Sequence, residues 1–429
     1  MVNILVRLKK LLKTFGPGFI TGAADDDPSG IATYSQTGAI FGFSQLWLAL
    51  FTLPFMIVIQ KMCGRIGMVT GKGLAGIIRT HYSKPVLYSA VSLLVITNTI
   101  NIGADLGAMA ASLQMLLGLP SLLWLVILTG FIIALEVFIT YKSYSKILKY
   151  LGLTLLAYVL TAFIVNPDWG IIVKSTVLPQ IQFSNEYILN IVAILGTTIS
   201  PYLFFWQTSE EVEEEIADGK ISDMGVGKPR VTKKNVANMD QDTTVGMVFS
   251  QAVMFFIIIT TASTLHANGV TNIATASQAA EALRPVAGDL AYLLFAIGII
   301  GTGLLAVPIL AGSSAYAVTE TTGLKEGLGK RTRLAPGFYG VIAASTLVGM
   351  LISWLGIDPI KALYYAAALN GLSAPPLMIL IILIANNKKI MGKYVNKRGS
   401  QIMGWVIVLV MALAGMMLIF ELLKGLLSV

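Results

Sequence analysis

The sequence predicts an all-α polytopic membrane protein, and two observations lead to that fold class. Hydrophobic residues make up 55% of the 429 residues and charged residues only 12%, whereas about 25% of an ordinary soluble domain is charged. Apolar segments long enough to cross about 30 Å of hydrocarbon recur along nearly the whole length. They leave no room for a sizeable soluble domain, so residues 1–429 are predicted to form a single transmembrane domain.

The hydropathy pattern predicts about eleven transmembrane helices. Their approximate ranges are 14–41, 43–64, 86–118, 121–140, 148–166, 188–212, 244–266, 289–320, 335–355, 359–386 and 402–425. The first ten spans form two sets of five. Because five is odd, the second set would be inserted upside down relative to the first. This gives inverted repeats over about 14–166 and 188–386, with an extra helix over about 402–425.

Positive charges fall almost entirely on one side of these spans. With the N-terminus placed in the cytoplasm, all but four of the 30 Lys and Arg residues lie in cytoplasmic segments. The four exceptions are Lys174, Arg284, Lys361 and Lys424. This bias follows the positive-inside rule. It predicts a multi-pass protein of a prokaryotic inner membrane, with a cytoplasmic N-terminus and an extracytoplasmic C-terminus, and it explains the net charge of +8 without a nucleic-acid partner.

The sequence lacks the signatures of an enzyme and of a resident cofactor. It contains no phosphate-binding loop, no nucleophile elbow and no paired histidines for a metal site. Its single cysteine, Cys63, excludes an internal disulfide and a cysteine-based metal centre. We therefore expect neither catalytic residues nor a bound cofactor.

The first predicted span is interrupted near its middle. Residues 25–27 are all Asp, and Pro28 and Gly30 follow them. Proline lacks an amide hydrogen and glycine is a poor helix former, so the helix is predicted to break here. An ionised Asp at the bilayer centre costs about 2.5–3.5 kcal/mol on insertion scales. One or two of the three are expected to cap a second half-helix and at least one to face an ion pathway, which leaves open whether Asp25 or Asp26 faces that cavity.

The sixth predicted span is interrupted in the same way. Thr197, Thr198 and Ser200 precede Pro201 within an otherwise apolar stretch. Their hydroxyl groups can bond the backbone groups that the proline leaves free. Spans one and six are the first members of the two predicted repeats. A pair of interrupted segments in corresponding positions indicates the binding site of a transporter, because half-helix ends and free carbonyls attract ions.

Further polar residues lie within or beside the spans. Asn98, Asn101 and Asp105 in span three are spaced i, i+3 and i+7, so they share one helical face. For the two Asn residues, interhelical hydrogen bonding and a pathway role are both open. For Asp105 we favour a pathway role, since a buried charge needs a partner or water. The acidic run over 210–215 is interpreted as a solvated helix end paired with nearby lysines, Lys233 and Lys234, with collection of cations at the inner mouth as the alternative.

Several of these residues resemble motifs of the Nramp family of metal-ion transporters, which have the LeuT-like fold. The similarity covers nearly the whole chain and is clearest in Gly16–Phe19, Asp27–Pro28, Gln60, Asp105–Leu106 and Gly196–Pro201. The resemblance implies a LeuT-like 5+5 inverted repeat with broken helices one and six. In that family the motifs Asp-Pro-Gly-Asn and Met-Pro-His-Asn bind a transition metal through Asp, Asn and Met side chains and a carbonyl near the Met.

Only part of the family's site is present in this chain. Asp27 matches the coordinating Asp, and the carbonyl ligand would come from Thr197 or Thr198. The replaced positions are Gly30 for the first-helix Asn, Ser200 for the Met, Tyr202 for the His, Leu203 for the second Asn, and Gln207 for a second His linked to proton movement. Without the soft thioether, hard oxygen groups remain. Without histidines near the breaks, proton coupling is expected to be weak or absent.

The resemblance and the residues together predict an Nramp-related secondary transporter of a divergent branch, which moves a small inorganic ion by alternating access. The first candidate is a hard divalent cation, Mg²⁺ before Mn²⁺, because Mg²⁺ is often bound by one or two carboxylates with waters retained. Asp27 is the predicted metal ligand. The predicted ion-binding residues are Asp27, Ser29, Gly30, Thr197, Thr198, Ser200 and Tyr202. The predicted auxiliary pathway residues are Asp26, Asn98, Asn101, Asp105 and Gln207.

Two other functions stay open on the sequence. The same ligand losses fit a small oxyanion such as bicarbonate, with Na⁺ on Asp27 as the coupling ion. Its hydrogen-bond donors would be Ser29, Gly30, Thr198, Ser200 and Tyr202. Channel-like facilitated diffusion is the second alternative. The predicted partners are the transported ion and the lipid bilayer, and the sequence is compatible with a monomer without fixing the oligomeric state.

Overall fold

A computed structural model describes residues 16–138, 155–273 and 275–427 of the chain. Helices dominate these ranges, and no strand is present within them, as the all-α prediction requires. The helices are α1 (Pro17–Asp25), α2 (Pro28–Phe41), α3 (Trp47–Thr70), α4 (Leu74–His81), α5 (Lys84–Leu117), α6 (Ser121–Phe138), α7 (Leu156–Val165), α8 (Trp169–Val177), α9 (Asn185–Thr198), α10 (Pro201–Ala217), α11 (Lys233–Thr264), α12 (Ala276–Glu281), α13 (Arg284–Ala287), α14 (Ala291–Thr322), α15 (Pro336–Ser353), α16 (Pro359–Asn386), α17 (Lys388–Met391) and α18 (Arg398–Leu427).

Nine helical stretches among the described residues are long and apolar enough to cross a membrane. Two of the eleven predicted spans, the first and the fifth, are not among these nine. The first is divided into α1 and α2, which have 9 and 14 residues and are each too short to cross alone. The fifth includes α7, and its predicted start at 148 lies outside the described residues. The boundaries of the two repeats stay a prediction.

The basic residues that support the predicted orientation are only partly within the described ranges. Those outside are Arg7, Lys9, Lys10, Lys13, Lys142, Lys146 and Lys149. Helices α3, α10, α14 and α16 all end on the side of the bundle where the remaining predicted cytoplasmic segments lie. We call this side the basic end and the opposite side the far end.

Proline sets the start of the helices that follow the two breaks. Pro28 is the first residue of α2 and Pro201 the first residue of α10. Proline favours this position because its missing N–H would have no intrahelical partner there. The residue before each proline is extended: Asp27 has φ −67° and ψ 173°, and Ser200 has φ −82° and ψ 134°. Both predicted helix breaks are therefore present.

Close glycine contacts position the half-helix that precedes each break. A Cβ added to Gly22 of α1 would lie 2.3 Å from the carbonyl oxygen of Gly246 in α11. A Cβ added to Gly196 of α9 would lie 2.0 Å from the carbonyl oxygen of Ala367 in α16. Only a residue without a side chain permits such an approach of two helix backbones. Span seven therefore packs directly on the first half-helix, and span ten on the matching half-helix of span six.

A carboxylate from span seven also anchors the N-terminus of α1. Asp242 accepts hydrogen bonds from the backbone amides of Gly16, at 2.9 Å, and Gly18, at 2.8 Å. Amides at the start of a helix have no intrahelical partner, and a negative charge is favourable beside this end of the helix dipole. The position of α1 thus depends on α11 as well as on its own sequence.

A further carboxylate organises the basic end. Glu320 of α14 accepts hydrogen bonds from the amides of Gly73, at 2.6 Å, and Gly76, at 3.0 Å, and so fixes the start of α4. Glu326, in the loop after α14, accepts a hydrogen bond of 2.8 Å from the Thr319 hydroxyl. Burial, and then repulsion from the Glu320 carboxylate, raise the pKa of Glu326 above its ordinary value.

We expect Gly246→Ala to destabilise the protein. The added methyl group would collide with the backbone of α1, and overpacking of a well-packed interior costs about 1–3 kcal/mol. Thermal unfolding of the purified protein in detergent, followed by intrinsic fluorescence, measures the effect. The matched control is Gly130→Ala in α6, where nothing lies within 4 Å of the added Cβ. Equal melting temperatures for the two variants would contradict the close contact of α1 with α11.

The raised pKa of Glu326 predicts a pH-dependent stability. The folded protein binds this proton more tightly than the unfolded chain does. The contribution to stability is therefore fully present below the unfolded pKa, about 4.3, and is lost as the pH rises towards the folded pKa. We expect Glu326→Gln, which retains an acceptor for Thr319, to raise the melting temperature more at pH 8 than at pH 5. The exposed control Glu186→Gln should show no such difference, and an equal shift for Glu326→Gln at both pH values would argue against the raised pKa.

Candidate ion-binding site

The first break is organised by Asp27. This residue caps α2, and its Oδ1 accepts hydrogen bonds from the amide of Gly30, at 2.7 Å, and from the hydroxyl of Ser29, at 2.6 Å. Capping satisfies one of the amides at the start of the half-helix. Its other oxygen, Oδ2, is turned away from these donors towards span three. Asp27 can therefore cap the helix with one oxygen and offer the other to an ion.

Asn101 and Asp105 of α5 face that second oxygen. The Asn101 side-chain amide donates to Asp27 Oδ2 at 3.2 Å. Asp105 is one helical turn further along and is fully buried, and neither of its carboxylate oxygens has a hydrogen-bond partner among the described residues. Asp27 Oδ2 and the fully buried Asp105 thus both lie on the span-three side of the break.

Asn98 lies on the same face of α5 but bonds to a different helix. Its side-chain amide donates to the carbonyl oxygen of Leu310 and to the hydroxyls of Ser313 and Ser314, at 2.9–3.0 Å. All three acceptors belong to α14. Of the two roles that the sequence left open, Asn98 therefore makes interhelical hydrogen bonds, whereas Asn101 bonds Asp27 at the first break.

The second break presents carbonyl and hydroxyl groups. The Ser200 hydroxyl donates to the carbonyl oxygens of Gly196, at 2.7 Å, and Thr197, at 2.9 Å. The Thr198 hydroxyl is turned back into its own helix, to the Ile194 carbonyl at 2.8 Å. Because α9 ends at Thr198, the carbonyl of Thr198, rather than its side chain, is the group that this residue can offer to an ion.

Two contacts bring the breaks together. The hydroxyls of Ser29 and Thr197 lie 3.4 Å apart, and the Tyr202 hydroxyl donates to the Ala24 carbonyl at 2.8 Å. Gly30 lies between them, since a Cβ added there would be 3.2 Å from the Thr197 hydroxyl oxygen. Ser29, Gly30, Thr197 and Tyr202 therefore lie where the half-helices of spans one and six meet. Asp27 reaches this point through Ser29, and Thr198 and Ser200 bond within span six.

Asp25, another carboxylate of the first break, faces a different helix. Its Oδ2 accepts a hydrogen bond of 2.6 Å from the hydroxyl of Ser250 in α11. Asp26 is fully buried, and neither of its oxygens has a hydrogen-bond partner among the described residues. Asp25 thus faces span seven, whereas Asp27 faces span three. Ser250 was missed in the sequence, where its only signal is a polar Ser–Gln pair within an apolar span.

No cationic side chain compensates these carboxylates within the described ranges. Asp25, Asp26, Asp27 and Asp105 are at most 1% exposed, and the salt bridges of this part of the chain involve other acidic residues. Buried charges of one sign are costly without a counter-charge. Among the described residues, no three His, Cys, Asp or Glu side chains converge as a ready metal centre. An ion here would therefore bind one or two carboxylates and complete its shell with carbonyls, hydroxyls or water.

The acidic run after the second break differs from its prediction as a solvated helix end. Glu211 and Glu215 are 4% and 2% exposed. Glu211 accepts a hydrogen bond of 2.8 Å from Gln207, and Glu215 forms an ion pair of 3.0 Å with Lys220. For Glu215 the partner is therefore Lys220, which the chain after α10 brings back to the helix end, and not Lys233 or Lys234.

Cavities lie on both sides of the breaks, and Asp27 lines neither. The one towards the far end has a volume of about 260 Å³ and includes Ala108 and Ser112, one and two turns beyond Asp105. The one at the basic end has a volume of about 230 Å³ and includes Glu211. Neither Asp27 nor Asp105 lines either of these cavities.

Helices broken at matching positions in a membrane bundle, with carboxylates and free carbonyls at the breaks, define the class of secondary transporters with discontinuous helices. The family follows from the whole sequence. The chain belongs to the Nramp family, whose profile, natural resistance-associated macrophage protein-like, matches residues 18–421. The resemblance drawn from individual motifs is therefore confirmed.

Individual relatives agree with this assignment. The divalent metal cation transporter MntH of Klebsiella pneumoniae (strain 342) is 27% identical over 422 residues, which cover 97% of this chain and 96% of that protein. The solved manganese transporter of Eremococcus coleocola has a TM-score of 0.74 and 17% identity, covering 95% of this chain and 86% of that one. Mhp1, a nucleobase-cation-symport-1 family transporter, has a TM-score of 0.57 and 15% identity, with 95% and 90% covered. The structural neighbours confirm the LeuT-like fold, and the relatives are transporters, as expected for a chain that is not an enzyme.

The bond between Tyr202 and Ala24 predicts a measurable difference between two buried tyrosines. We expect Tyr202→Phe to lower the free energy of unfolding by about 1–3 kcal/mol, because the Ala24 carbonyl would lose its partner in a buried site. The control is Tyr34→Phe, since the fully buried Tyr34 hydroxyl makes no hydrogen bond with the described residues. Thermal unfolding of both purified variants provides the comparison. A larger loss for Tyr34→Phe would contradict the contact between the breaks.

Proposed function

We propose that this chain transports a hard divalent cation, Mg²⁺ before Mn²⁺, across a bacterial inner membrane by alternating access. Its family and its relatives, among them a protein named as a divalent metal cation transporter, support the divalent cation. The observation that carries the choice of a hard ion is the donor set at the breaks. Asp27 and Asp105 supply carboxylates, and the surrounding groups are oxygens and amides, without a thioether or an imidazole.

The half-helix geometry supports the same proposal. The carbonyl end of α9 carries partial negative charge, and its Thr197 lies beside Ser29, whose hydroxyl bonds Asp27, so the two breaks attract a cation together. Mg²⁺ gives up its water reluctantly. A site with few direct ligands and several hydroxyl and amide groups suits an ion that retains part of its hydration shell. Mn²⁺ shares the preference for oxygen ligands and is the second candidate.

Coupling and orientation are part of the proposal. The breaks contain no histidine, the only side chain whose ordinary pKa lies near neutrality, so we propose that transport is weakly coupled or uncoupled to protons. The bias of basic residues supports a cytoplasmic N-terminus and an extracytoplasmic C-terminus. The basic end then faces the cytoplasm.

The two alternatives have less support. An oxyanion such as bicarbonate would have to approach four buried carboxylates, and like charges at short range in a medium of low polarity repel strongly. An open channel does not fit Asp27 and Asp105, which are at most 1% exposed. A carrier that exposes the site to one side at a time fits the broken helices.

Uptake of Mg²⁺ into proteoliposomes with a trapped indicator dye tests the proposal. We expect saturable uptake by the native protein and a loss of at least about tenfold in Asp27→Asn. Asparagine is also a good helix cap, so this variant removes the charge while keeping the start of α2. Glu186→Gln, an exposed carboxylate at the far end, is the control and should transport normally.

Two results would contradict the proposal. Absence of Mg²⁺ and Mn²⁺ uptake from a protein with a native melting temperature would exclude a hard-cation transporter. Uptake that does not saturate, together with single-channel currents, would exclude alternating access.

A further inference from the structure

A short basic segment joins the last two spans at the basic end. It runs over residues 387–398, from the residue after α16 to the first residue of α18, and it contains α17. Five of its 12 residues are basic, and all five are exposed: Lys388, Lys389, Lys393, Lys397 and Arg398. We call residues 387–398 the basic loop.

No salt bridge compensates the charge of the basic loop. None of its five cationic side chains forms an ion pair with the described residues. Residues 359–420, which include both neighbouring spans, contain neither Asp nor Glu. Residues 1–15 and 139–154, which the structure does not describe, contain no acidic residue either. The loop therefore presents a concentrated positive charge.

Hydrogen bonds hold the basic loop in a defined conformation. The Asn396 amide donates to the carbonyl oxygen of Ala385 at 3.0 Å, and its side chain donates to the side-chain oxygen of Asn386 at 2.8 Å. The Tyr394 hydroxyl donates to the carbonyl oxygen of Val231 at 2.7 Å. Because these contacts already order the backbone, a ligand that binds the loop would lose little affinity to ordering it.

Exposed apolar side chains lie next to the loop on both helices. Leu383 is exposed in the last turn of α16, and Ile402 and Val406 are exposed in the first turns of α18. The two helices are in contact here, since a Cβ added to Gly404 would lie 3.1 Å from Ile382 Cδ1. In a membrane, such apolar surface faces acyl chains. The loop therefore places cations beside a surface for hydrocarbon.

We propose that the basic loop binds the headgroup of an anionic phospholipid in the leaflet at the basic end, while the apolar side chains beside it contact the acyl chains. Clusters of about four to eight Lys and Arg immediately beyond a transmembrane helix are typical of anionic-lipid binding. Each lysine ammonium offers three donors to phosphate oxygens, and such charge-assisted hydrogen bonds are strong. The proposal goes beyond ion transport and does not depend on which ion is carried.

The loop after α14 shows why the general bias of basic residues is not sufficient for such a site. That loop is also basic and lies at the same end of the bundle. It contains Glu326, however, and its Lys330 forms an ion pair of 2.6 Å with Asp223. Part of its charge is thus compensated within the protein, whereas the basic loop keeps its whole charge for an external anion.

Native mass spectrometry of the purified protein, titrated with phosphatidylglycerol or with phosphatidylcholine of identical acyl chains, tests the proposal. We expect phosphatidylglycerol to bind more tightly, by about fivefold (about 1 kcal/mol) for each basic residue at the headgroup. Combining Lys388→Gln, Lys389→Gln and Lys397→Gln should weaken phosphatidylglycerol binding by at least about tenfold and leave phosphatidylcholine binding unchanged. The same three positions changed to Arg should retain tight binding, because the charge is kept.

The matched control removes the same number of charges at the same end of the bundle. It combines Lys325→Gln, Arg331→Gln and Arg333→Gln, three exposed residues of the loop after α14, and should bind phosphatidylglycerol as the native protein does. A second measurement needs no variant. The native preference for phosphatidylglycerol should fall as ammonium acetate rises from about 0.05 to about 0.5 M, because salt screens exposed charges.

Four results would overturn the proposal. They are equal binding of the two lipids by the native protein, a preference that does not change with salt, an equal loss in the two Gln triple variants, and displacement of phosphatidylglycerol by excess glycerol phosphate. The third would assign the preference to the overall charge of the basic end, and the fourth would indicate a site for small anions. None of them bears on Mg²⁺ uptake, and failure of the uptake experiment would leave the lipid site unaffected.

Discussion

The structure depends on one constraint: four carboxylates are buried at the middle of a membrane bundle, and no cationic side chain of the described residues compensates them. Asp25, Asp26, Asp27 and Asp105 each lie at the first break or beside it. In a medium of low polarity such charges persist only with backbone donors, hydroxyl groups, water or bound cations. The helix break supplies the first two. The remaining need for positive charge is what makes this position suitable for transporting a cation.

Asp27 has both a structural role and a proposed role in ion binding. One of its oxygens caps α2, and the other faces Asn101 on span three. The half-helix therefore begins where the ion would bind, and movement of α2 would carry the ligand with it. The glycine contacts of α1 with α11 and of α9 with α16 hold the opposite sides of the breaks in close contact with neighbouring spans. A small movement of these helices would thus change the site directly.

The departures from the Nramp motifs share one chemical feature, which is the loss of thioether and imidazole groups. Ser200 stands where the resemblance implies a thioether, and Tyr202 and Gln207 stand where it implies imidazoles. Each replacement leaves oxygen or amide groups. These oxygen and amide groups favour a small, strongly hydrated cation over a soft metal.

The sequence by itself determined the apolar spans, the two breaks and the presence of carboxylates at the first break, because these follow from local properties: apolar length, the missing proline amide and the cost of a carboxylate in hydrocarbon. Only the tertiary structure decided which partners these residues meet. Ser250 bonds Asp25 across 225 residues, Asn98 bonds α14 rather than the ion site, and Glu211 is buried rather than solvated. Such contacts depend on how distant helices pack and on the path of the connecting loops. Hydropathy predicts neither the packing nor the loop paths, since it measures how strongly a segment prefers lipid but not which helix face contacts which neighbour.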